Sequence, residues 1–96
     1  MDKRELYRQK KQAQLDEWKA DVQKLRARVS GRSADAQLKL KKEIAALEGK
    51  IDEGRKKLSE IADASEDAWE SVEKEMESAW ASLKSSVNDA VSRFRE

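Results

Sequence analysis

The chain has 96 residues, 43% of them charged and 38% apolar, with a net charge of +1; that describes one small domain, charge-rich like coiled coils and solvated helices rather than like a thick globular core. Cysteine and histidine are absent, which excludes disulfides, thiolate metal sites and the commonest general base. Proline is absent as well, so nothing forbids long helices, and three glycines are the only strong breakers.

The chain opens on a basic arm, Lys3, Arg4, Arg8, Lys10 and Lys11, countered only by Asp2 and Glu5. No apolar stretch follows it as in a leader segment, and no apolar run approaches the length of a membrane span. A soluble cytoplasmic protein is expected. Such an arm can touch the phosphates of nucleic acid or of anionic lipid. Tyr7 is its one interleaved aromatic and no nucleic-acid motif accompanies it, so the arm reads as a basic helix end for an acidic partner, and nucleic acid is not expected.

From Leu15 onward, 19 of the 22 Val, Ile, Leu, Met, Phe and Trp residues lie on one ladder of three- and four-residue steps. They are Leu15, Trp18, Val22, Leu25, Val29, Leu40, Ile44, Leu47, Ile51, Leu58, Ile61, Trp69, Val72, Met76, Trp80, Leu83, Val87, Val91 and Phe94. An α-helix that buries one narrow edge against another helix has this pattern, and the nineteen are the expected helix–helix seam and oligomer interface. Four rungs hold something small or polar: Ser33, Ala36, Gly54 and Ser65. The mean step is 3.5 residues from Leu15 to Val29, a heptad, and 3.67 from Leu58 to Val91, an 11-residue repeat. The latter favours a nearly straight or slightly right-handed supercoil.

Two places can interrupt the helix. Ser30-Gly31-Arg32-Ser33 offers Gly31 as a helix-ending C′ residue and Ser33 as an N-cap. Asp63-Ala64-Ser65-Glu66-Asp67 offers Ser65 as an N-cap with two acids in the following turn. The second is the stronger signal, because the ladder loses a large residue at 65 while it keeps its phase from Val29 to Leu40. The expected fold is therefore all-α and a single domain over 1–96. It is an elongated antiparallel helical hairpin, or coiled coil, with a long first helix over about 2–62 and a return helix over about 66–95. The alternative is a three-helix bundle with an extra turn near 30–33. A seam this narrow suits two strands better than a bundle, although Ala20, Ala27, Ala45, Ala46, Ala62, Ala68 and Ala79 widen it.

Residues 1–33 carry a net +5, residues 34–57 a net +2 and residues 58–96 a net −6. The two ends attract each other, within one molecule or between copies. A hairpin of unequal arms leaves the basic first third without an internal partner, so an antiparallel homo-oligomer is expected.

The remaining candidates read as packing or surface. Glu66, Asp67, Glu70, Glu73 and Glu77 include i, i+3 and i, i+4 pairs whose oxygens can converge on a cation. Helix-bundle di-iron sites, however, need a Glu-x-x-His pair, so these carboxylates read as a solvated acidic face. Trp69 and Trp80, 11 residues apart, share one side of a helix with the ladder; with Trp18 they read as large knobs facing alanines rather than as membrane anchors. Asp52–Lys56, Glu53–Lys57 and Glu70–Lys74 are acid-first i, i+4 supports. No glycine-rich phosphate loop is present and no base is available to activate a serine. No catalytic residue, metal ligand, cofactor or small-molecule substrate is expected.

The stretches Leu15-Asp16-Glu17-Trp18, Ala64-Ser65-Glu66-Asp67-Ala68-Trp69-Glu70, Glu77-Ser78-Ala79-Trp80 and Ala90-Val91-Ser92-Arg93-Phe94 resemble a family of small bacterial coiled-coil proteins linked to stress responses. The likeness spans almost the whole chain. It implies a helix-rich cytoplasmic protein without known catalysis and carries over no functional residue, since the shared motifs are the structural rungs themselves. Members of that family usually lack a glycine like Gly31, which leaves the three-helix alternative open. A looser similarity, in period and charge alone, is to the 11-residue repeats of apolipoproteins and of dehydration-protective late-embryogenesis proteins. The expectation is a non-enzymatic, self-associating coiled-coil protein with a structural or protective, stress-related role. The alternative is a peripheral amphipathic binder of anionic membrane surfaces.

Overall fold

The computed structural model describes residues 3–61 and 63–94; positions 2, 62 and 95, which bound the expected helices, lie outside them. The described residues form three α-helices, α1 (Lys3–Ala27), α2 (Ala34–Ile61) and α3 (Glu66–Arg93), with a short 3-10 turn at Val29–Gly31 between the first two. The all-α architecture is the one the ladder calls for, in its three-helix form. Two contacts give the directions. The Arg4 guanidinium, at the start of α1, donates to the Ala64 carbonyl just before α3 at 2.6 Å. Arg28, at the end of α1, donates to the Phe94 carbonyl at the end of α3 at 2.9 Å. Helices α1 and α3 therefore run parallel, with α2 antiparallel to both, in a body of 52 × 21 × 17 Å.

The fold-back near residue 65 forms as its residues demand. Ser65 is extended and its Oγ accepts from the Ala68 N–H at 3.2 Å, while Glu66 and Asp67 occupy the first turn. The cap satisfies an otherwise orphaned donor, and the helix dipole favours the acids.

The long first helix over 2–62 does not run through. Helix α1 ends at Ala27, and Gly31 is not a left-handed C′ residue, because no glycine has a positive φ. The stop is made by tightened hydrogen bonds instead. The Arg28 N–H donates to the Leu25 carbonyl at 3.0 Å and the Arg32 N–H to the Val29 carbonyl at 3.1 Å. Arg32 then turns extended, Ser33 Oγ accepts from the Ala36 N–H at 3.4 Å, and the Gln37 side chain donates to the Arg32 carbonyl at 2.9 Å. Burial decides this outcome. Folding α1 back buries Leu15, Trp18, Val22 and Leu25, each worth roughly 1.5–3 kcal/mol. The break gives up a few helical hydrogen bonds worth about 1 kcal/mol net apiece, in a stretch where Ser30, Gly31 and Ser33 have low helix propensity.

The stripe suffices for three helices because small residues widen it. Gly54, a rung of the ladder, is buried, as is Ala90 beside it, and Ala79 packs against the core. Among the described residues, the exposed large hydrophobics are Leu6 and Leu38, at 46% and 61% exposure, and both lie off the ladder.

Candidate functional site at the seam between the first and third helices

Of the nineteen ladder residues, fifteen are buried, and Trp69, Val72, Val91 and Phe94 are partly buried against them. Together they form one core shared by all three helices within a single chain. Its most differentiated part is the parallel seam of α1 and α3. There Tyr7 meets Trp69 edge-on at 5.5 Å between ring centroids, and Trp18 meets Trp80 at 6.2 Å and a tilt of 48°. Both pairs are 62 residues apart in sequence, so the 11-residue spacing of 7 and 18 on α1 is in register with that of 69 and 80 on α3.

Cations from the basic arm complete this seam. Lys11 Nζ lies 2.8 Å from a Glu77 carboxylate oxygen, with the rings of Tyr7 and Trp80 at 5.2 and 5.8 Å. Its side chain is only 12% exposed. The Arg4 guanidinium caps the Trp69 ring at 4.9 Å. Each cation lays its apolar stem along the seam and its charge over ring faces or carboxylates, a combination that aromatic quadrupoles favour. The Tyr7 hydroxyl is buried beside the Glu77 carboxylate. Burial pushes its pKa up to about 12, helped by the negative charges of Glu77 and Glu73 and by the proximity of its hydroxyl to the Glu77 carboxylate. Trp80 Nε1 is buried with no hydrogen-bond partner among the described residues.

Gly54 explains one weak rung. A Cβ at this position would stand 3.3 Å from Trp80 Cη2 and 3.4 Å from Leu15 Cδ2, so the missing side chain is the slot that receives the indole. Trp80 therefore faces a glycine and another tryptophan, and Trp69 faces a tyrosine, where alanines were expected. Ser33 and Ser65 are the capping residues that immediately precede α2 and α3. The break in the ladder at these positions marks the ends of helices.

The acidic residues of α3 divide by position. Glu77 is paired with Lys11 and Glu73 is half-buried beside Tyr7. Glu66, Asp67 and Glu70 are exposed. Among the described residues, no group of three or more Asp or Glu is placed to hold a metal ion. Further ion pairs join the other helices, Arg93–Glu43 at 2.8 Å and Arg26–Glu48. A shallow groove of about 540 Å³ beside the 3-10 turn is lined by Arg26, Val29, Gln37, Lys41, Ile44 and Glu48 among others. No described helix is long and apolar enough to cross a membrane.

Sequence reasoning missed the roles of Arg4, Tyr7 and Lys11, yet a signal was present. The ladder continues backward from Trp18 and Leu15 in steps of four, four and three, onto Lys11, Tyr7 and Arg4. A stripe of large apolar residues does not include these rungs, because two are cations, Arg4 and Lys11, set against aromatic rings. Comparison with known proteins returns no match to a family model, to a curated protein or to a solved structure.

Proposed function

We propose that the chain is a soluble, cytoplasmic, non-enzymatic helical-bundle protein with a structural or protective, stress-related role. The observation that carries this reading is the use made of the reactive and aromatic side chains. The three tryptophans and Tyr7 are packing residues, and Lys11 and Glu77 neutralise each other within the seam. What remains on the surface is dense in charge of both signs, which suits a protein acting by its presence and its solubility rather than by a reaction. The stress connection is supported by the resemblance carried by the tryptophan-centred stretches. Self-association stays within this reading in altered form. The stripe that suggested it is filled inside the chain, so a second copy would meet either the charged surface or an exchanged helix.

The membrane-surface alternative requires the bundle to open, because the apolar stripe that would meet lipid is the core. A protection assay read beside circular dichroism tests the proposal. The protein is heated with a thermolabile enzyme, and its helicity is measured with and without vesicles of anionic lipid. Expected are high helicity in buffer, unchanged by vesicles, and less aggregation of the enzyme. Helicity gained only with vesicles, or enzyme aggregation unaffected at stoichiometric amounts, would overturn it.

A further inference from the structure

We infer that residues 28–33 form a hinge that straightens into helix, so that two copies exchange α1 and form an antiparallel, helix-swapped dimer. This inference rests on the self-association in the proposed function and specifies its mechanism. In the dimer, α1 and α2 of each copy become one continuous helix. The α1 of each copy then packs against α2 and α3 of the other.

The hinge contains nothing that requires a turn. Val29, Ser33, Ala36 and Leu40 keep four-, three- and four-residue steps across it, so the stripe of a straight helix stays on one side. It has no proline and no positive-φ residue, and nothing lies within 4 Å of a Cβ added at Gly31. The bonds holding it bent include a 3.4 Å cap from Ser33, the Gln37 contact, the tightened backbone bonds and the exposed or half-exposed Arg28 and Arg32 guanidinium groups, which donate to the Phe94 carbonyl at 2.9 and 3.3 Å. In a straight helix the backbone groups of 28–33 return to the regular ladder. The second turn is different, since Arg4 anchors its Ala64 carbonyl at 2.6 Å and Ser65 caps α3 at 3.2 Å with two acids behind it.

Exchange preserves everything else. Lys11–Glu77, Arg26–Glu48, Tyr7–Trp69 and Trp18–Trp80 all join α1 to another helix and re-form between copies. The basic first third of one chain then lies on the acidic last third of its partner. The two states differ only in the hinge and in the entropy of association, so concentration selects between them.

The experiment unfolds the protein, refolds it over a range of concentrations and separates the products by size with light-scattering detection. Carbodiimide then couples Lys11 to Glu77, a link within one chain in the monomer and between chains in the exchanged dimer. Expected for the wild type is a dimer fraction that grows with refolding concentration and carries the interchain link. Gly31→Ala with Ser33→Ala raises that fraction several-fold, by adding helix propensity and removing the cap. Ala34→Pro abolishes it while the monomer keeps its melting temperature, because Ala34 is the first residue of α2. There proline fits the bent form and breaks the straight one. A dimer that survives Ala34→Pro, or lacks the interchain link, overturns the hinge but leaves self-association standing. A protein monomeric at every concentration, even with Gly31→Ala and Ser33→Ala, overturns both.

Discussion

The indole of Trp80 occupies space that any side chain at position 54 would need. Gly49, five residues earlier on the same helix, is exposed with nothing within 4 Å of an added Cβ. Two glycines in one helix therefore make opposite demands. Gly49→Ala keeps every contact and adds helix propensity, and is expected to stabilise by up to about 1 kcal/mol. Gly54→Leu forces Trp80 and Leu15 apart and is expected to cost about 1–3 kcal/mol, the usual range for an overfilled core. Thermal or urea unfolding of the two variants measures both. A neutral Gly54→Leu would mean that Trp80 does not sit in that slot. The glycine's place among the weak rungs was legible in the sequence. Its role as a socket was not, because the residue that fills it comes from another helix 26 positions away.

Among the elements, the fold-back at Ser65 was the easier to read. It combines a cap, two acids and a missing rung at one point. The break after Ala27 was harder, since Gly31 takes neither a left-handed conformation nor any steric role there. A tertiary requirement makes that turn, namely that α1 find a partner, and local chemistry merely permits it. The parallel pairing of α1 with α3 was least visible, although the backward continuation of the ladder through Lys11, Tyr7 and Arg4 contained it. Tyr7 reports on that seam directly because it is the single tyrosine of the chain. The fold holds the neutral phenol, with a pKa raised from 10.0 to about 12. Between those values the unfolded chain loses its proton while the folded chain keeps it. The stability Tyr7 contributes is thus complete below pH 10 and is lost as pH rises toward 12. An absorbance titration of tyrosinate is expected to show a native midpoint well above 10.0 that returns to the ordinary value in denaturant. A native midpoint near 10.0 would take Tyr7 out of the seam.

For the whole molecule, charge and apolar pattern lead to one arrangement. Helices α1 and α3, which carry most of the +5 and −6 segments, lie side by side and parallel within the chain. Exposed ion pairs such as Arg93–Glu43 contribute at most about 1 kcal/mol each, so the charges orient the helices while the buried ladder holds them. A narrow stripe reads as a two-stranded seam when helices are considered singly. It closes a three-helix body here because Gly54, Lys11 and Arg4 serve as further rungs and alanines pack beside the ladder. The central claim is that this closure happens within one chain, with α1 folded back. Small-angle X-ray scattering extrapolated to zero concentration tests it most directly. A body about 52 Å long, with a radius of gyration near 15.6 Å, is expected; a continuous helix over residues 3–61 would instead show a longest dimension of about 88 Å at 1.5 Å per residue, and finding that length in the monomer would refute the closed bundle.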